Sequence, residues 1–192
     1  MKIGLIVEGK SDVETIQRLV EGIYAGTRKK PGTVVRQLRQ GNMLKPDKIR
    51  GLVNQMISDK PGIKKIIICL DCECTREEEK QPKIKKAEKE LQRMGLNPLP
   101  RYCLVVHALE SWLATDSRAL GSYLGKKIQL GWNPVSACHP KDCLKETFKR
   151  EGRTFDNIKD NPRLAQSVNI QTLTEQNPSF AQFRKLIETH YS

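Results

Sequence analysis

Four acidic residues stand where apolar runs end. Glu8 closes the run from Ile3 to Val7, Asp71 closes the run from Ile66 to Leu70 with Glu73 two residues on, and Glu110 lies in "HALESWLATD", just past "RYCLVV". Carboxylates crowded within a few ångströms repel and hold on to protons unless a cation neutralises them. A hard divalent ion, Mg²⁺ or Mn²⁺, answers that need: it takes oxygen from one or two carboxylates and keeps waters and substrate phosphates as its other ligands. Such a centre suits phosphodiester chemistry, in which the metal activates a water, orients the phosphate and stabilises the leaving oxygen. Glu8, Asp71 and Glu73 are therefore the candidate catalytic residues, and with Glu110 the candidate metal ligands. One acid after a strand is ordinarily a turn or cap residue, so the case rests on the convergence of four. Asp12 and Glu14 suit the first turn of a helix, and Asp12 is kept as an accessory member of the site.

Convergence requires elements that bring the acids together. The run from Ile3 to Val7 lacks polar alternation, as in a strand covered on both faces. A helix should follow it, with Ser11 and Glu14 as a capping box and Val13, Ile16, Leu19, Val20 and Ile23 as its apolar stripe. "TVVRQLRQ" reads as a second strand and "PDKIRGLVNQMI", with Pro46 in its first turn, as a second helix. "KKIIICLD" is the clearest strand. Glu77 to Met94 is helical in composition with a break at Pro82, and "RYCLVV" is a fourth strand leading to a helix with Glu110. Strands alternating with helices predict an α/β fold, a mostly parallel sheet of about four strands with helices on both faces. Ligands of such sheets bind at the carboxyl ends of the strands, where all four acids fall. Residues 1–118 form this core. Residues 119–192 lose the periodicity and read as a helical and irregular C-terminal extension packed on it as one structural unit, with helices in "HPKDCLKETFKR" and "SFAQFRKLIETH".

The chain has 192 residues, room for one sizeable core, and its 34 Lys and Arg against 22 Asp and Glu give a net charge of +12. A polyanionic partner is expected, nucleic acid above all. Between Gly26 and Arg50 lie eight basic residues and one acid, Asp47. From this segment Arg28, Lys29, Lys30, Arg36, Arg39 and Lys45, together with Lys10, are the candidate phosphate-backbone contacts, against the alternative of a solvated loop and strand edge. Arg76 to Arg93 mixes both signs and reads as a helix with internal ion pairs. Five apolar-type residues before Glu8 are too few for a secretory h-region, and no window approaches the roughly 20 apolar residues of a membrane span, so a cytoplasmic protein with no membrane partner is expected.

Six cysteines in such a chain are expected as reduced thiols. "CLDCEC" lacks the doubled pair of a structural zinc site. His107 stands three residues before Glu110, a spacing that on a helix puts both on one face, and is a possible accessory ligand or proton carrier. His139 reads as a turn residue before a helix. Trp112 and Trp132 read as packing residues.

"VEGKSD" after the opening strand and "IICLDCE" at the third resemble the Toprim domain shared by topoisomerases, bacterial primases and overcoming-lysogenization-defect (OLD) nucleases. Its signatures are a glutamate and a D-x-D motif. "HALESWLATD", "HPKDCLKETF" and "LAQSVNIQTLTEQNPSFAQFRKLI" resemble later segments of an uncharacterised prokaryotic Toprim-like family, which extends the likeness over nearly the whole chain. The resemblance implies that Glu8 is the Toprim glutamate, a metal ligand or general acid-base, and Asp71 the first acid of D-x-D. Glu73 departs from the usual second Asp by one methylene, and Glu110 would add a ligand from the far side of the crevice. It also implies Mg²⁺ or Mn²⁺ as cofactor, DNA in preference to RNA as substrate, a partner ATPase as in the OLD group, and work in phage defence or DNA repair. Two other readings stay open: a noncatalytic nucleic-acid-binding or protein-interaction subunit on the same scaffold, and a phosphoacceptor domain with Asp71 as acceptor. The latter would want an acid pair after the first strand, where Gly9 and Lys10 follow Glu8.

Overall fold

A computed structural model describes residues 1–28, 30–75 and 77–189. Four strands, β1 (Lys2–Val7), β2 (Gly32–Gln37), β3 (Ile63–Asp71) and β4 (Arg101–Val105), form one sheet in the order β2-β1-β3-β4, every pair parallel. β1 and β3, the two most apolar runs, take the two central positions, where both faces are covered. Alternation along the strands then sorts side chains between two cores. Ile3, Leu5, Val7, Ile67, Cys69, Cys103 and Val105 enter one, and Ile6, Ile66, Ile68, Leu70 and Tyr102 the other.

Helices α1 (Lys10–Ile23), α2 (Pro46–Asp59) and α3 (Glu77–Arg93) follow β1, β2 and β3. The second core is closed by α2 and α3, through Ile49, Val53, Met56, Ile84, Ala87 and Leu91. Pro82 lies inside α3 without ending it: the proline costs the helix one backbone donor, and the buried stripe Ile84, Ala87 and Leu91 holds the element together. The first core is closed by α1 and by the C-terminal helices α4 (Leu109–Thr115), α5 (Ser117–Leu124), α6 (Pro140–Arg150), α7 (Asn157–Ser167), α8 (Ile170–Gln176) and α9 (Pro178–Glu188). The C-terminal part is thus half of the main core. Trp112 anchors it, fully buried against Phe180 and Phe183 at ring centroid distances of 5.3 and 5.1 Å, with its indole N–H donating to Ser179 Oγ at 2.6 Å. Trp132 donates to Thr147 Oγ1 at 3.2 Å.

The start of α1 differs from the expected capping box. Its N-cap is Gly9, and Asp12 Oδ2 accepts from the Gly9 N–H at 2.7 Å, while Glu14 pairs with Arg18 instead. A Cβ on Gly9 would lie 2.7 Å from that Asp12 oxygen, which is why a glycine follows Glu8. At the opposite end of the molecule, buried Lys65 donates to the carbonyl oxygens of Leu186 and Ile187 at 2.8 and 2.7 Å, so a cation meets the C-terminal turn of α9. None of the described helices is long and apolar enough to cross a membrane.

Candidate metal and phosphate site

β1, β3 and β4 all point their carboxyl ends the same way, so Glu8 and Asp71 emerge side by side, and α4 starts just beyond β4 with Glu110 in its first turn. The Asp71 N–H donates to Glu8 Oε1 at 2.9 Å, and Gln37 Nε2 donates to the Glu8 carbonyl oxygen at 3.0 Å, which ties the ends of three strands together. Burial raises the Glu8 carboxyl to a pKa of about 7, helped by the charges of Glu73 and Asp12 and opposed by the Asp71 N–H and by Lys80. Asp71 is pushed well above the usual carboxylate range, first by burial and then by the charges of Glu8, Asp12 and Glu110, with Lys80 opposing. Burial also raises Glu110, against the hydrogen bond from Asn161 and the charge of Lys141, with Asp12 adding to the rise. Asp12 thus adds its charge to the rise at Glu8, Asp71 and Glu110 alike, and Asp71 feels Glu8 and Glu110 as well.

Asn161 completes this group. Its Nδ2 donates to Glu110 Oε1 at 3.0 Å, and its Oδ1 is buried without a hydrogen-bond partner. An orphaned acceptor among buried acids is itself a place where a cation or a water belongs. The donor set is oxygen throughout, which fits Mg²⁺ or Mn²⁺. No three of the acids put oxygens mutually within 4.8 Å among the described residues, so they form no closed cage.

Glu73 sits at the rim. Its backbone is left-handed, with φ of 52°, its N–H donates to the His107 carbonyl oxygen at 2.8 Å, and its Oε1 accepts from Gln40 Nε2 at 2.6 Å. His107 is the other non-glycine residue with positive φ among those described, at 65°, and its Nδ1 lies 2.8 Å from the Glu73 carbonyl oxygen. The two form an isolated antiparallel bridge. This corrects the expectation that His107 shares a helix face with Glu110: α4 begins at Leu109, and His107 clamps the backbone of Glu73. Left-handed backbone at two such residues is costly and is held by the bonds between them.

Residues 7–188 match the family described as Domain of unknown function (DUF4276). The chain is a DUF4276 protein. No curated protein and no solved structure matches it.

The basic residues of this DUF4276 chain divide between two edges of the sheet. Lys10 opens α1, Arg39 precedes the short turn that carries Gln40, and Lys45 is the N-cap of α2, all at the edge that holds the acids. Arg28 and Lys30 lie between α1 and β2, before Gly32, which pairs with Lys2. They belong to the opposite edge, about 20 Å away along a six-residue strand, because a βα unit returns the chain to its starting side. Arg36 lies on β2 with its guanidinium 3.7 Å from Asp59. Lys29 lies outside the described residues. The expected ion pairs within α3 are not found among the described residues. Instead its Lys83 and Lys86 line, with Lys45 and Lys48 at the start of α2 and the acids Asp47 and Glu90, a groove of about 530 Å³.

Sequence reading missed Asn161, Lys80, Gln40 and this lysine groove. Lys80, whose Nζ donates to the Asp71 carbonyl oxygen, was hidden in a run of charges. Asn161 precedes Pro162, which reads as a breaker but lies within α7. The cysteines also differ from expectation: Cys74 and Cys138 pair as a disulfide with a Cα separation of 4.9 Å, within ordinary reach of such a bond, while Cys69, Cys72, Cys103 and Cys143 are free. Two residues 64 apart carry no pairing signal in sequence.

Proposed function

We propose that this protein processes phosphodiester bonds in nucleic acid with a Mg²⁺ or Mn²⁺ ion held by Glu8, Asp71 and Glu110, with Glu73 at the rim. The observation that carries the reading is the shared field of the buried acids at the carboxyl edge of the sheet, where burial and mutual repulsion hold protons that a divalent cation would displace. The Toprim resemblance of "VEGKSD" and "IICLDCE" gives the same assignment for Glu8 and Asp71 and favours DNA over RNA, and the short apolar run before Glu8 favours a cytoplasmic setting.

When bound, such an ion supplies an activated water and neutralises charge on the phosphate. The chain's own groups do the rest. The Asp71 N–H fixes Glu8, Asn161 fixes Glu110, and the Glu73 and His107 clamp holds the loop after β3. Glu8, raised to a pKa of about 7 in the metal-free chain, would give up its proton on taking the ion, so ion binding at neutral pH is coupled to proton release. Lys45, Lys48, Lys83 and Lys86 would offer the nucleic-acid backbone a net positive groove.

A noncatalytic nucleic-acid-binding role is favoured by one observation, the engagement of Glu73 Oε1 by Gln40. Incubation of the protein with single-stranded and duplex DNA and RNA, with Mg²⁺, Mn²⁺ or chelator, separates the two. Metal-dependent cleavage that is lost in Asp71→Asn supports the proposal. Binding with no cleavage under any of these conditions supports the noncatalytic role.

A further inference from the structure

Beside the carboxylate crevice lies a second group of quite different chemistry. Cys74 directly follows Glu73, and Cys138 and His139 stand just before α6, whose N-cap is His139. Among the described residues these three are the one set of His, Cys, Asp and Glu side chains whose ligand atoms all fall within 4.8 Å of one another. His139 Nε2 lies 3.4 Å from Cys74 Sγ, and all three residues are exposed. In a tetrahedral zinc site, Zn–S bonds of about 2.3 Å and Zn–N bonds of about 2.0 Å put neighbouring donors roughly 3.5 Å apart. The Cys74 to His139 separation already has that value.

The other cysteines do not compete for this place. Cys72, on which a sequence reading of "CLDCEC" would centre a metal, is buried and donates its S–H to the Thr75 carbonyl oxygen at 2.8 Å. Cys143, one turn along α6, is outside the group. The carboxylates nearby are hard donors. Two thiolates and an imidazole select a softer ion, and with three protein ligands they leave a fourth position open.

We propose that reduced Cys74 and Cys138, with His139, bind one Zn²⁺ ion, and that the disulfide is the metal-free, oxidised form of the same site. The exchange balances with a peroxide as oxidant. The zinc dithiolate, one H₂O₂ and two protons give the disulfide, free Zn²⁺ and two waters; the two sulfurs supply the two electrons that cleave the O–O bond. Zinc loading and disulfide formation exclude each other because both use the same sulfur atoms.

The test is a zinc competition titration of the full chain, reduced with a phosphine, against a chromophoric chelator. One zinc per chain is expected, with affinity at least about tenfold lower in Cys74→Ser, Cys138→Ser and His139→Ala, and unchanged in Glu8→Gln and Asp71→Asn. Peroxide should release the zinc with loss of two free thiols per chain. Cobalt substitution of the unmutated protein gives a readout that needs no variant: a thiolate-to-cobalt charge-transfer band is expected in the reduced form and not in the oxidised one. No stoichiometric zinc in the reduced chain, no such band, or zinc lost in the carboxylate variants but retained in the cysteine variants would each overturn the assignment.

Discussion

The acids on one side of Glu73 and the Cys74, Cys138 and His139 group on the other differ in every property that selects a ligand. The first are oxygen donors, largely buried, tied by hydrogen bonds from separate elements and raised in pKa by one another. The second are sulfur and nitrogen donors, exposed, and joined across 64 residues by a bond that redox chemistry can open. A buried acid group stores unfavourable charge and releases it when a hard cation arrives. An exposed thiol pair stores nothing comparable, and its state is set by the surroundings. The turn after β3 contributes to both, with Asp71 and Glu73 among the acids and Cys74 in the sulfur group, so adjacent residues carry oxygen and sulfur donors.

The strongest way to break this comparison is to neutralise the acids. Asp71→Asn or Glu8→Gln should lower metal-dependent cleavage by more than about a hundredfold while raising the melting temperature of the metal-free protein at alkaline pH, because the amide never has to ionise where burial opposes a charge. Loss of activity together with loss of stability would mean that the acids are structural. A thermal melt beside a cleavage assay reads both.

Next in size is the effect of pH. The Glu8 carboxyl has a higher pKa folded than unfolded, so the native state holds a proton that the unfolded chain gives up as pH rises through 4.5. The Glu8 contribution to the stability of the metal-free protein should therefore fall between pH 4.5 and about 7 and level off above it. Discounted for solvent screening at a partly exposed group, the Glu8 share is about 2 kcal/mol, a drop of about 4–8 °C in melting temperature. Mg²⁺ should restore more of it at pH 8 than at pH 5, and Glu8→Gln should flatten the profile, as melts across that range would show.

Asn161→Ala removes the hydrogen bond that aims Glu110, and Mg²⁺ affinity measured by calorimetry should fall about tenfold. The smallest effect belongs to the lysine groove. Lys83→Ala with Lys86→Ala should weaken DNA binding and make its logarithmic salt dependence shallower by about 1–2, while Arg28→Ala with Lys30→Ala, at the far edge of the sheet, should leave it unchanged.

How far the sequence foretold these features follows from the range of the interactions involved. The parallel sheet was legible, because strands buried on both faces carry uninterrupted apolar runs and the helices between them carry stripes. The places of Glu8 and Asp71, side by side at the carboxyl edge of the sheet, were legible for the same reason: each ends such a run. The C-terminal helices were less so. In α7, Pro162 masks a continuous helix, and Asn161, the residue that reaches Glu110, is recognisable only once α7 packs on α4. The position of Arg28 and Lys30 was misjudged because charge counted along the chain ignores that α1 carries it back across the sheet. His107 was misplaced because its left-handed backbone, set by the bridge to Glu73, takes it out of the helix that the spacing implied. The pairing of Cys74 with Cys138 depends on contact between distant segments, which no local pattern encodes.

Calorimetric titration of Mg²⁺ and Mn²⁺ into the unmutated protein and into Asp71→Asn at pH 7, in buffers of different ionisation enthalpy, tests the central claim most directly. A hard-metal crevice predicts binding with release of protons from the acids, abolished in Asp71→Asn. Absence of binding by either ion to the unmutated protein would contradict it.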